Sequence, residues 1–421
     1  MNKKINRTLI LGIAATCGLA SCSTSNKVNQ KDQTVIMDDN MDSGYLILSD
    51  SQREVVKSGN DFALRLFKSE QGMDSKVMSP LSVSCVMSML ANGADKSTLD
   101  AIMATIGMKG KSVAELNDTY KGIIQMSGSK DKSTVVKIAN SIVANENVSL
   151  EKKFVDTMKD VYDANVSSMD FAKHSTVDAI NAWCKKQTEG MIPNIISELD
   201  PSAVSVLLNA IYFNGTWMNK FDKADTKLER FQGYTRDIKR VQMMHQEDKF
   251  MYAKKEGYAA VKLPYIGDKY EMTVLLPDNG SSTGDMMKDM DGKRLESLMN
   301  DMEEYKVDLK LPRFTVETSQ SLKDVLSQLG AKTMFTASAD FSHMASSGFF
   351  VSEILHKAKI EVTEEGTKAA AVTAAIMTMS AIRPSDELRA TFHADRPFVY
   401  IISERSTGAV FFIGQYTGDD C

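Results

Sequence analysis

Two periods of hydrophobic positions alternate along the chain. At the start of the folded part, Phe62, Leu66 and Phe67 share one helical face. Ser79-Pro80 opens a second helix: the serine can cap it and the proline suits its first position. Val83, Val86, Met87 and Leu90 then follow helical spacing as far as Gly93. Val177 to Gln187 repeats the pattern, with Ile180 and Trp183-Cys184 inward and a stop at Gly190. Leu322 to Leu329 does the same and is capped by Gly330. Between these lie strands. Val135 to Asn145 alternates, and Val204 to Trp217 is a run of β-branched and aromatic residues suited to a buried strand. Asn209, alone inside that run, needs hydrogen-bond partners.

One stretch fits neither period. From Glu361 to Pro384 the chain carries two acids, Gly366, and then small uncharged residues. Gly366 permits backbone angles closed to other residues, so it can act as a hinge. Beyond it, the alternate positions Thr367, Ala369, Ala371, Thr373 and Ala375 are all small. In an extended chain they share a face and can slip between two existing strands. An alanine-rich helix or a surface linker is the plain alternative.

The first 21 residues change the picture of where the protein resides. Lys3, Lys4 and Arg7 precede an apolar run from Leu9 to Ala20, too short to span a bilayer comfortably. The run ends in Leu19-Ala20-Ser21-Cys22, which resembles a bacterial lipobox. The expectation is a signal peptide over residues 1–21, lipid on Cys22, and a protein exported to the bacterial cell envelope and tethered at the outer membrane, on its periplasmic or surface side. An ordinary signal peptide is the alternative, and Cys17 is a weaker candidate for the lipid. Residues 22–50 are polar and aperiodic, a flexible tether. Residues 51–421 form the folded domain. With Cys22 lipidated and Cys17 removed, Cys85, Cys184 and Cys421 remain, and an odd number is no disulfide framework. A net charge of -5 does not suggest nucleic acid as a partner.

Taken together, several segments resemble the serpin family. Glu364-Glu365-Gly366-Thr367-Lys368-Ala369-Ala370-Ala371-Val372-Thr373 resembles the hinge of a serpin reactive-centre loop, in the alanine-rich form of inhibitory members. Val77 to Ala94 resembles the segment whose serines, here Ser79 and Ser82, support the opening point of the central sheet. Ala139-Asn140-Ser141-Ile142 is similar to the family, although Val143 replaces the usual tryptophan. The strongest match is Val204 to Trp217. Val241 to Gln246, Leu263-Pro264-Tyr265, Met272 to Pro277, Leu309 to Phe314, Phe392 to Phe398 and Gly408 to Gly414 continue it in order, so the likeness covers Ser51 to Tyr416.

The resemblance implies an α+β serpin fold: a large central mixed β-sheet, a second barrel-like sheet region, surrounding helices, and an exposed reactive-centre loop at about 365–390. It implies that Asn209 bonds His356 on a neighbouring strand, locking the sheet. It implies that Arg313 and Glu365 form a salt bridge where the loop enters the sheet, with Trp217 packed nearby. The hinge would comprise Glu365, Gly366, Thr367, Ala369, Ala370, Ala371 and Thr373. The implied function is inhibition of a serine or cysteine protease as a suicide substrate, by a monomer needing no cofactor or metal. The reactive bond falls at Ser380-Ala381, with Met379 and Arg383 as alternatives. A non-inhibitory binding protein of the same fold stays open.

Other chemistry is thinly represented. Gly280-Ser281-Ser282-Thr283-Gly284 fits a nucleophile-elbow pattern, so a hydrolase using Ser282 is a third reading, but Pro277-Asp278-Asn279 before it is loop composition. Gly110-Lys111-Ser112 lacks the earlier glycine of a phosphate loop. The five histidines show no metal-ligand spacing.

Overall fold

Ser49 caps the first helix through the amide of Gln52, and the Gln52 side chain returns the bond, so the fold begins with a capping box. The computed structural model describes residues 46–128, 134–234, 237–346, 348–367 and 387–420. Cys22, the signal segment, the tether up to residue 45, loop residues 368–386 and Cys421 lie outside the described residues.

The helices in chain order are α1 (Asp50–Glu70), α2 (Pro80–Gly93), α3 (Lys96–Thr105), α4 (Val113–Ser127), α5 (Lys152–Tyr162), α6 (His174–Gln187), α7 (Thr283–Met287), α8 (Gly292–Asn300) and the short α9 (Lys323–Leu326). The strands are β1 (Lys76–Met78), β2 (Thr134–Asn145), β3 (Asn165–Met169), β4 (Ser205–Thr216), β5 (Lys227–Gln232), β6 (Ile238–Lys255), β7 (Tyr258–Pro264) and β8 (Tyr270–Pro277). They continue with β9 (Glu303–Pro312), β10 (Phe314–Ser321), β11 (Glu353–Thr363), the two-residue β12 (Gly366–Thr367), β13 (Arg389–His393), β14 (Phe398–Glu404) and β15 (Val410–Tyr416).

Two sheets carry the fold. The main sheet is mixed and runs β10-β11-β12-β4-β2-β3, with β11 also pairing β4 directly. The second runs β1-β15-β14-β8-β7-β6-β9-β13, with β5 on β6, and has more strands, nine to six. The architecture is the expected α+β one.

Helix α2 is the strut beneath the main sheet. It holds no charged residue, and every position from Pro80 to Gly93 is buried except half-buried Asn92, as an all-round apolar helix must be. Ser79 caps it and Pro80 is its first residue, as the sequence indicates. Gly93 is needed for space: a Cβ there would lie 2.7 Å from the Cβ of Met344. Helix α6 buries Ile180 and Cys184 and leaves Trp183 half-buried. The helix expected over Leu322–Leu329 is shorter: regular α-structure stops at Leu326 and a wide turn runs to Ala331.

Candidate functional site

Most of the candidate residues that fall within the described part cluster where β4 and β11 first run together and then part. From Glu353 to Lys359, β11 pairs in parallel with Val206 to Tyr212 of β4. Above that level β11 turns back through Glu364 and Glu365. Gly366 and Thr367 then sit between the two strands, opposite Thr216 and Gly215 on one side and Thr363 and Val362 on the other.

A polar cluster closes the lower, paired part. Asn209 of β4 stands opposite Asn140 of β2 and His356 of β11. His356 Nδ1 lies 2.6 Å from Asn209 Oδ1, and the backbone N–H of Ser79 donates to His356 Nε2 at 3.2 Å. With Nε2 accepting, Nδ1 carries the proton and the ring is neutral. Complete burial pushes the His356 pKa down to about 4, which agrees with that tautomer. Asn209 Nδ2 donates to Asn140 Oδ1 at 2.7 Å, to the Ser82 carbonyl at 3.2 Å, and to the Ser82 hydroxyl. Three strands and the start of α2 are thus joined by one asparagine. The His356–Asn209 bond ties β4 to β11, so parting the two strands would break it. Sequence reasoning missed Asn140 as a member, although an asparagine inside a strand calls for hydrogen-bond partners just as Asn209 does.

The upper part is a mouth already holding the hinge. Gly366 has φ of 144°, and a Cβ there would meet the Gly215 carbonyl oxygen at 2.1 Å, so only glycine fits. Thr367 is fully buried, and its hydroxyl lies 2.7 Å from the Tyr265 hydroxyl. Trp217 stacks on Tyr265 with ring centres 4.5 Å apart. Its indole N–H donates to the Thr363 carbonyl at 2.9 Å, and its backbone N–H to the Glu365 carbonyl at 3.0 Å.

The expected Arg313–Glu365 bridge does not form. Glu365 is held by Lys220 at 2.9 Å and Lys223 at 3.3 Å. The hydrogen bond from Lys220, against the opposing effect of burial and with Lys223 helping, keeps its carboxyl below the usual range. Arg313 approaches Glu364 instead, at 4.0 Å. The reason is direction at the turn. Glu364 is buried and bonded by the Thr226 hydroxyl at 2.9 Å, whereas Glu365 faces the segment after β4. Lys220, Lys223 and Thr226 carry no motif that would have singled them out.

Of the remaining candidates, Ala369, Ala370, Ala371, Thr373, Met379, Ser380, Ala381 and Arg383, together with Cys22, lie outside the described residues. Ser282 caps α7, and its hydroxyl is 2.7 Å from Asp285 with no histidine among its hydrogen-bond partners. That is a helix start, not a nucleophile elbow. Cys85 and Cys184 are buried free thiols; burial pushes Cys184 up to about 12, which suppresses thiolate chemistry. No cluster of metal-ligating side chains is found among the described residues.

The comparisons with known proteins agree with this geometry. The family profile described as Serpin (serine protease inhibitor) matches residues 57–418. Leukocyte elastase inhibitor of Homo sapiens is 34% identical over 384 residues, covering 86% of this chain and 99% of that protein. Among solved structures, the thermophilic serpin tengpin in its native state superposes with a TM-score of 0.81 at 30% identity, covering 89% of this chain and 95% of that one. Thyroxine-binding globulin in complex with thyroxine superposes at 0.79 and 26% identity, covering 87% and 100%.

Proposed function

The chain belongs to the serpin family, and from that premise we propose that it inhibits a serine or cysteine protease as a suicide substrate. The observation that carries this reading is the seating of Gly366 and Thr367 between β4 and β11. A new strand has its first two residues in place, on a register that can continue downward. Thr367 lies opposite Gly215, nine residues above Val206, so the same register brings Ile376 opposite Val206. Ala369, Ala371, Thr373 and Ala375 then take the face that Thr367 occupies, and all are small enough to enter it.

Insertion replaces one parallel ladder of seven register pairs with two antiparallel ladders. A strand of that length gains several net hydrogen bonds at about 1 kcal/mol each, and side-chain burial brings the total to the order of 10 kcal/mol. The protease cuts the loop at Ser380-Ala381, or after Met379 or Arg383, and is held as an acyl-enzyme. Strand insertion drags it and distorts its active site. Loss of a single oxyanion contact slows deacylation by about 100-fold or more. The protein is therefore consumed, one molecule per protease, and is not a catalyst.

A panel of subtilisin-, elastase-, trypsin- and papain-type proteases tests this. A complex that survives denaturing electrophoresis, with release of a peptide beginning at Ala381, is the expected result. Cleavage by every member without a complex would favour the alternative, a non-inhibitory binding protein; the neighbouring thyroxine-binding globulin is solved with thyroxine bound. Lipid on Cys22 would place this activity at the bacterial envelope. Cys22→Ser should move the protein from the membrane to the soluble fraction, and unchanged membrane association would overturn the anchoring.

A further inference from the structure

Strand β5 pairs only with β6, so among the described residues its outer edge is free. In this hairpin Phe231 and Val241 are buried on one face. Strand alternation puts Leu228, Arg230 and Gln232 on the other face, opposite Gln242, Arg240 and Ile238 in turn. All six are exposed. Leu228 and Ile238 stand at opposite corners, 51% and 53% exposed, with the two arginines between them. Arg230 and Arg240 are direct cross-strand partners, and like charges so placed destabilise a hairpin.

No carboxylate answers this charge. Neither arginine has an ion-pair partner among the described residues. Leu228, Arg240 and Gln242 line a cleft of about 440 Å3 together with Arg313, Glu361, Asp419 and Asp420. Lys239 holds Asp419, Asp420 accepts the Thr315 N–H at 3.0 Å, and Glu361 forms no ion pair with either cleft arginine. In a chain of net charge -5 the hairpin is therefore a local positive face with two apolar contacts.

The face stands beside the origin of the loop. Thr226, the residue before β5, donates its hydroxyl to Glu364 at 2.9 Å, and Arg313 approaches the same carboxylate at 4.0 Å. Three residues beyond Glu364 comes Thr367, the last described residue before the loop. Beyond the loop the chain enters β13, and β13, β9, β6 and β5 are successive strands. Both ends of the loop are thus fixed near the sheet that carries the hairpin.

We propose that the outer face of the β5–β6 hairpin is a second docking surface for the target protease, and that it selects proteases with carboxylates beside the active-site cleft. The inference rests on the protease-trapping reading. A protease–inhibitor interface of usual size takes about 800 Å2 from each partner, so it reaches beyond the bond being cut. Arginine and aliphatic side chains in the open suit such a contact, and carboxylates on the protease complete the charge that this chain leaves unanswered. The acidic body repels an acidic protease, while the hairpin attracts it, so the encounter is oriented toward the loop. Contacts of this kind act on the rate of association. They break when the loop enters the main sheet and carries the protease away, so they do not oppose trapping.

The test measures the second-order rate of covalent complex formation at pH 7.5, with proteases of the panel above sorted by net charge. The variant is Arg230→Gln with Arg240→Gln. With an acidic protease, wild type should react at least about fivefold faster than the variant at about 20 mM salt, and the ratio should fall below about twofold at about 0.5 M. The fraction of protein trapped per protease should stay the same. The control, Lys152→Gln with Lys153→Gln, removes two exposed charges from α5, which packs against β3 at the far end of the main sheet; it should react like wild type. Removing the arginine repulsion should leave the urea midpoint equal or higher. An equal slowing in both double variants, trapping confined to basic proteases, or a lower urea midpoint would overturn the docking surface. Loss of retention on a heparin column with unchanged protease rates would reassign the face to a polyanion and overturn it too. If wild type forms no complex with any protease, the trapping reading itself fails; if complexes form and the arginine variant reacts like wild type, only the docking surface fails.

Discussion

Replacing Thr367 with arginine tests the mechanism at its first residue. The position is fully buried between β4 and β11, with its hydroxyl on Tyr265. The change removes that hydrogen bond and leaves a buried hydroxyl without its partner, a cost of about 1–3 kcal/mol. Seating an unpaired guanidinium there costs several kcal/mol more. The hinge pair then leaves the sheet in the resting protein, and insertion after cleavage must pass the same barrier. An added barrier of only 3 kcal/mol slows insertion by about 150-fold. Deacylation overtakes it, and the inhibitor becomes an ordinary substrate. Lys368→Arg, the next position and on the opposite face by strand alternation, is the control. Each variant is mixed with a susceptible protease and run on denaturing electrophoresis. Wild type and Lys368→Arg should give the covalent complex, and Thr367→Arg only cleaved protein. An equally abundant complex from Thr367→Arg would refute the reasoning.

Three further outcomes follow from the same geometry. His356 is held neutral with a pKa near 4 against an ordinary 6.5, so its contribution is complete above pH 6.5 and is lost as pH falls toward 4. Wild type should lose about 2 kcal/mol more stability than His356→Gln between pH 7.5 and 5, read from urea midpoints, and parallel losses would contradict this. Gly366→Ala sets a Cβ against the Gly215 carbonyl at a φ of 144°, so it should abolish complex formation while the loop is still cut. Trp217→Phe leaves the Thr363 carbonyl without its indole donor and should destabilise the native protein by about 1–3 kcal/mol in denaturant unfolding.

Much of this fold was legible because its signals are local. The Ser79-Pro80 start of α2, the alternation of β2 and the apolar run of β4 each follow from neighbours in sequence. Asn209 and His356 were identifiable as a pair through the family likeness, since 147 positions separate them. The ion pairs were not legible. Two adjacent glutamates, Glu364 and Glu365, are alike in sequence, and only the turn after β11 decides which faces Arg313 and which faces Lys220. The contacts of Asp308 with His245 and His393 were hidden for a similar reason: they join three strands whose order depends on the whole sheet. The early seating of Thr367 also depends on where β4 and β11 part, which composition does not encode.

The central claim is that the cut loop becomes a strand of the main sheet, and thermal unfolding tests it most directly. Purified protein is nicked within the loop by a protease that it does not trap, and both forms are melted under the same conditions. A gain of the order of 10 kcal/mol, spread over the unfolding entropy of about 370 residues, predicts a rise in Tm of at least about 10 °C. A nicked form that melts at or below the temperature of the intact protein would contradict the account.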